Sequence, residues 1–495
     1  MVDLPPLHRA ERNGIPVLWS PCPGPLAGGI VFRVGPTDEP VPLAGITHLI
    51  EHLAMTNAED GPYDECNAFV DVAVTAFAAR GEPADVAAFV NQIAATLSDP
   101  PLDQVEGARR VLKVEAAGQD HAASVPLLAA RYGLRGFGAI GGRELGLAWL
   151  GAKQVAAHIT GYFTAGNAVL WFSGPPPPEL DPRLPEGPLR PVPPRPPLPL
   201  RLPACIRDGS AAGDDEAGAA IGMLAPWGWA ITAGLDVLGR RAFKRLRNEM
   251  GASYHVEAGL GGDLDAGTVH GGITADALPD GVPRVRDALL TVVDELARGG
   301  PLPAELERSA RDHERRYASQ PELDGWLCGR ALDELLGRPL EEPAERVARL
   351  RALTSEEVAG AVERARGTAI MALPGYCPPP DGFALLEPDG GEPVRGRVHR
   401  FAVPFSRRRL VAAEEGLTYS DGQGRATVRF DDCVAVLTWD DGVRVLLGHD
   451  GATVLFSPRA FRGGAQVAEL IERRVPRDRW VPMDELEPSP LSDRP

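Results

Sequence analysis

Apolar positions along this chain follow two periods, and the switching between them marks out its elements. Period-two and continuous apolar runs predict strands at residues 15–20, 29–34 and 168–173, with a strand-like stretch over 67–80. An Asn13-Gly14 turn signal precedes the first of these. Apolar residues at helical spacing predict helices over 84–97, 102–118, 124–132 and 152–163. A further helix over 45–55 buries Leu49, Ile50 and Leu53.

Residues 174–203 break both periods, with 14 prolines in 30 positions. Such a stretch packs as neither helix nor sheet and reads as an extended, semi-rigid strap. Beyond it the order of elements repeats. A strand at 217–224 leads to a helix at 231–249, strands at 253–260 and 268–274, and helices at 282–298, 303–317 and 325–336. A last helix starts at Thr354, where Glu357 completes a capping box, and a strand follows at 369–373. The parallel predicts an internal duplication.

After a loose segment at 391–405 the pattern changes to short strands at 426–430, 433–439, 443–447 and 453–456. Asp441-Gly442 and Asp450-Gly451 supply hairpin turns, and an amphipathic helix over 464–474 follows. The expected fold class is α+β: two duplicated α/β-sandwich halves, 1–173 and 204–390, joined by the Pro-rich linker. Residues 406–495 form a small β-barrel or sheet with a capping helix, similar to the pleckstrin-homology-like architecture. Its expected role is protein interaction; the basic cluster Arg407–Arg409 reads as a solvated linker.

Composition narrows the function. A formal charge of −17 argues against a nucleic-acid partner. Six scattered cysteines argue against a disulfide framework and a cysteine metal cage. The first residues carry no apolar core of signal-peptide length, and the uncharged runs 154–178 and 217–235 are broken by proline, glycine and polar residues. The expectation is a soluble, cytoplasmic protein without a transmembrane segment.

The chemistry lies in the helix over 45–55. His48 and His52 are four apart and share one face, with Glu51 beside them. Two imidazoles at that spacing can chelate one zinc, and the carboxylate can take a proton from a water activated there. His-x-x-Glu-His is the inverted zincin order, that of an inverzincin. The bland alternative is a pair of partly exposed helix histidines. Zinc needs a third protein ligand. Glu115, in apolar surroundings on the helix over 102–118, is the natural candidate, with Glu106 and Asp120 as competitors.

Residues 45–55 resemble the zinc helix of the pitrilysin/insulinase family of metallopeptidases, in the branch of the mitochondrial processing peptidases. Asn67-Ala68-Phe69 and Thr75-Ala76-Phe77 are similar to that family's strand after the zinc helix. The run Arg109-Arg110-Val111-Leu112-Lys113-Val114-Glu115 is similar to its second zinc segment, which implies Glu115 as the third ligand. Residues 162–170 resemble the lead into the strand that ends its first domain. Two departures stand out. The spacing from His52 to Glu115 is short for the family, and an acidic residue expected seven positions before the ligand is Ala108. Leu246 to Tyr254 resembles the family's second-half arginine-tyrosine motif, which implies that Arg247 and Tyr254 bind substrate carbonyls and the developing oxyanion. The second half lacks histidines at the matching helix and is expected to bind no metal.

The resemblance implies a zinc metalloendopeptidase acting on peptides or unfolded segments, with Glu51, Arg247 and Tyr254 catalytic and Asn67 and Ala68 pairing with substrate. It also implies a homodimer, or a heterodimer with a related subunit. The alternatives are a catalytically weak or inactive binding subunit on the same fold, and a maturase dedicated to one precursor peptide.

Overall fold

The computed structural model describes residues 6–483 apart from 57, 59–60, 119–124, 141–142, 195, 208–216, 266, 318–319, 388–389, 404 and 423, together with 489. Asp120 and the start of the helix expected at 124 lie outside the described residues.

The first half runs β1 (His8–Arg12), β2 (Ile15–Trp19), β3 (Leu26–Phe32), α1 (Ile46–Met55), β4 (Glu65–Asp71), β5 (Val74–Gly81), α2 (Pro83–Ser98), α3 (Val105–Gly118), α4 (Val125–Tyr132), α5 (Ala152–Tyr162) and β6 (Ala168–Phe172). Its six strands lie in the order β1-β2-β6-β3-β5-β4, all neighbours antiparallel except β2 and β6. The stretch expected as one strand over 67–80 is a hairpin, β4 and β5, turning at Val72-Ala73. Its Val, Ala and Phe run on through the turn, so periodicity alone did not reveal the reversal.

The second half runs β7 (Ala204–Arg207), β8 (Ala217–Pro226), α6 (Trp229–Phe243), β9 (Val256–Asp265), β10 (Thr268–Ala277), α7 (Val282–Gly299), α8 (Pro303–Arg316), α9 (Gln320–Leu335), α10 (Pro343–Ala352), α11 (Ser355–Arg366), β11 (Ile370–Leu373) and β12 (Ala384–Leu386). Its sheet has the order β12-β7-β11-β8-β10-β9. Strand for strand, β7, β11, β8, β10 and β9 repeat β2, β6, β3, β5 and β4, so the duplication expected from the sequence is present in the topology. Thr354 caps α11, and its hydroxyl accepts from the Glu357 N–H at 3.2 Å.

The central strands of both sheets are buried on both faces, which is why β3, β6 and β11 read as continuous apolar runs. In the first sheet Ile30, Phe32, Phe77, Leu170 and Phe172 point into one core, with α1, α2 and α5. Their neighbours Val31, Ala76, Val169 and Trp171 face the other way, against Trp326, Leu327, Ala331 and Leu335 of α9. The exchange is mutual. Leu127 of α4 packs on Ala204, Ala220, Ile370 and Ala372 of the second sheet. Arg131, one turn on, donates through Nη2 to Thr368 O at 2.6 Å and Gly222 O at 3.3 Å. Burial pulls its pKa down to about 10, still charged at neutral pH. Each half thus covers the other's sheet with one helix, and an Arg80–Asp324 ion pair joins β5 to α9.

The C-terminal region holds β13 (Arg397–Arg400), β14 (Arg409–Ala413), β15 (Gly416–Ser420), β16 (Arg425–Arg429), β17 (Cys433–Thr438), β18 (Arg444–Gly448), β19 (Thr453–Phe456), α12 (Gly464–Arg474) and β20 (Trp480–Pro482). They form two four-stranded sheets, β13-β14-β15-β16 and β19-β18-β17-β20. The two share one core, which also takes in Val467 and Ile471 of α12. No strand ladder closes them into a barrel among the described residues. Strand β13 falls within 391–405, where the sequence suggested a linker, and Arg409 of the basic cluster opens β14. No helix among the described residues is long and apolar enough to cross a membrane.

Candidate metal centre

Helix α1 presents the site because its other faces are committed to the core. Ile46, Leu49, Ile50 and Leu53 are buried. A neighbouring carboxylate, not a side chain of the helix, caps its first turn. Glu39, itself buried, accepts the N–H groups of Gly45 at 2.7 Å and Thr47 at 2.8 Å. Burial pushes the Glu39 carboxyl up, the hydrogen bonds from Thr47 and Gly45 pull it down, the charge of Glu144 pushes up again, and it sits at about 7. Behind the helix Thr47 Oγ1 lies 3.2 Å from His158 Nε2. Burial drives His158 down to about 4, so it is a neutral core histidine.

On the outward face the rings of His48 and His52 lie 5.0 Å apart, nearly edge to face at 79°. Glu115, on α3, brings Oε2 to 3.5 Å from His52 Nε2 and 3.9 Å from His48 Nε2. Ligand atoms of the three residues lie within 4.8 Å of one another. A tetrahedral zinc with bonds of roughly 2.0–2.1 Å needs ligand atoms about 3.3 Å apart, so the two Glu115–histidine distances, at 3.5 and 3.9 Å, are within several tenths of an ångström of that spacing. Two neutral imidazoles and one carboxylate are a three-ligand set that leaves a coordination position open. Glu51 stands beside the cluster, with Oε2 3.6 Å from His52 Nε2 and its side chain 12% exposed.

Glu115 is not buried by its surroundings as expected. Its side chain is 39% exposed and its neighbours Val111 and Val114 face solvent. They are apolar but lie on the open side of α3, which turns the site outward. Of the competitors, Glu106 is committed to Arg109 at 2.7 Å and Arg110 at 3.3 Å. Ala108 packs against the first-half core.

The sequence reading missed Glu144. His48 Nδ1 and Glu144 Oε1 stand 2.9 Å apart, and because a carboxylate only accepts, the ring donates. No periodicity or motif marks Glu144; it stands in a stretch with Gly141 and Gly142 and comes into place only through the tertiary fold. Burial lowers the His48 pKa, but the hydrogen bond and charge of Glu144, with the charges of Glu51 and Glu115, more than offset this and hold it above the usual histidine value.

Asn67 and Ala68 lie on β4, the last strand of its sheet, which among the described residues pairs only with β5. Arg247 and Tyr254 lie in the second half, where the chain leaves α6 through a π-helical turn (Lys244–Glu249) toward β9. That is the counterpart of the passage from α1 to β4. Arg247 Nη1 donates to Tyr254 O at 3.0 Å, and its guanidinium lies 4.4 Å from the Tyr254 ring centre. Tyr254 is 74% exposed. The structure therefore gathers the predicted residues into two groups, one in each half.

No protein-family model and no curated protein matches the chain. Solved structures do. The inactive domain of an M16 peptidase from Pseudomonas fluorescens is 17% identical, with a TM-score of 0.61, over 76% of this chain and 100% of that one. A protease from Helicobacter pylori is 15% identical, with a TM-score of 0.62, over 74% of this chain and 99% of that one. A chain of complex III2 from Candida albicans is 14% identical, with a TM-score of 0.62, over 74% and 95%. At these identities the likeness shows the fold, that of M16 peptidases, which is the pitrilysin-like fold expected from the sequence.

Proposed function

We propose that the protein is a zinc-dependent metalloendopeptidase of the inverted zincin type, acting on peptides or unfolded segments. The observation that carries the reading is the meeting of His48, His52 and Glu115 from two helices, with Glu51 alongside. His48 and His52 would hold zinc through Nε2 and Glu115 through a carboxylate oxygen. When bound, the ion supplies Lewis-acid activation of water and of the scissile carbonyl.

The chain's own residues do the rest. Glu51 accepts the proton of the attacking water and returns it to the leaving amine. The free edge of β4, at Asn67 and Ala68, pairs with an extended peptide by β-augmentation. Arg247 and Tyr254 donate to the oxyanion of the tetrahedral intermediate. Because they lie in the other half, a homodimer in which each chain completes its partner's site is part of the reading; a heterodimer with a related subunit meets the same need. The C-terminal domain serves protein interaction, and the setting is cytoplasmic.

A second reading is a weakly active or inactive subunit on the same fold. It is favoured by Ala108, apolar where the resemblance expects an acid, and by the inactive M16 domain among the similar structures. Metal analysis and peptide kinetics separate the two. The peptidase predicts about one zinc per chain, with cleavage lost on chelation and restored by zinc. Zinc without turnover on any peptide pool supports the second reading, or a maturase with a single precursor.

A further inference from the structure

Glu144, the carboxylate that reaches His48, belongs to a segment gripped on both sides. It opens the 3-10 turn Leu145–Ala148. On one side the turn is fastened to the start of α1. Gly146 N–H donates to Ala44 O at 3.0 Å, and Trp149 Nε1–H donates to Pro42 O at 2.8 Å. The approach is close: a Cβ on Gly146 would lie 2.6 Å from Ala44 O, and one on Gly45 would lie 2.8 Å from Glu144 Cβ. Gly45 also has a φ of +95°, so a side chain there would meet both backbone strain and Glu144.

On the other side the turn meets the C-terminal domain. Leu145, Ala148 and Trp149 pack in one apolar cluster with Val434, Leu437 and Val481. Leu134 N–H donates to His449 O at 2.7 Å as a second tie between the two bodies. An imidazole that binds metal through Nε2 carries its proton on Nδ1, and an acceptor at Nδ1 selects that tautomer and holds the ring plane.

We propose that Glu144 is a positioning residue of the metal centre and that the C-terminal domain holds it in register. The site is then built from both ends of the chain, and the tail domain is part of its frame. The proposal rests on the metal-binding part of the reading above and is independent of peptide hydrolysis.

The test uses the full chain. Zinc affinity is measured by chelator competition for wild type, Glu144→Ala, Glu144→Gln, Leu437→Ala and the Glu144→Ala/Leu437→Ala double variant, each checked for folding by circular dichroism. Glu144→Ala is expected to weaken zinc by roughly 10–100-fold. Glu144→Gln, whose amide oxygen still accepts the Nδ1 proton, loses less. Leu437→Ala weakens zinc in the wild-type background but adds nothing in the Glu144→Ala background, because both act through one contact. Unchanged affinity in Glu144→Ala overturns the positioning role, and additive losses overturn the role of the C-terminal domain.

A metal-free readout separates this from failure of the peptidase reading. In zinc-free protein, 15N spectra of labelled histidine should show neutral His48 as the Nδ1–H tautomer in wild type and as a mixture in Glu144→Ala. A wild-type His48 protonated on Nε2 overturns the proposal whatever the variants do. The expected tautomer in a wild type that binds no zinc would sink the peptidase and leave the positioning contact standing.

Discussion

Glu51→Gln tests the proposed chemistry most directly. The amide has nearly the volume of the carboxylate and the position is only 12% exposed, so the helix and its packing should survive. What is lost is proton acceptance. Positioned acid-base catalysis contributes about 10²–10⁴-fold, so kcat should fall by that factor. At about 1.4 kcal/mol per tenfold, this raises the barrier by about 3–5 kcal/mol. Glu51 is not one of the three convergent ligands, so zinc content should stay at that of wild type. KM should move little, because the interaction is made in the transition state. The assay is a fluorogenic peptide series at saturating zinc, with metal content measured on the same samples. Glu51→Gln retaining wild-type kcat would refute the assignment of Glu51 as the base. A variant that lost its zinc would make Glu51 a ligand instead.

Three further outcomes follow from the geometry. Leu327→Ala empties a fully buried position between α9 and the first sheet and should cost about 2–5 kcal/mol in chemical denaturation; a loss below 1 kcal/mol would mean the two halves are not packed as described. Arg247→Ala should lower kcat by about 10²–10³ without loss of zinc, and mixing it with Glu51→Gln chains should restore activity if each chain completes the other's site; no recovery sinks the dimeric arrangement. For Glu39 the folded carboxyl, at about 7, binds its proton more tightly than the 4.5 of the free group. Its contribution is therefore full below pH 4.5 and is lost as pH rises to 7, up to about 3 kcal/mol; Glu39→Gln should flatten this slope in denaturation curves taken across that window.

The sequence by itself determined whatever depends on near neighbours. Helical period sets His48 and His52 on one face and buries Leu49, Ile50 and Leu53 on the other, and that holds wherever the helix is placed. Continuous apolar strands such as 168–172 required a cover on each face, and the repeated order of elements made the two halves legible. The short strands β1, β7, β12 to β15 and β20 and the helix α10 escaped notice, because three to five strand residues, or a charged helix opening at Pro343, carry too little pattern to stand out. Only the tertiary structure decided what closes over long separations. It brings Glu115 to the two imidazoles and Glu144 to the far side of His48, crosses α9 and α4 between the halves, and seats the tail domain against the turn after Glu144. These meetings join residues distant along the chain, and they follow from how the surfaces of whole elements fit together. No local spacing encodes that fit.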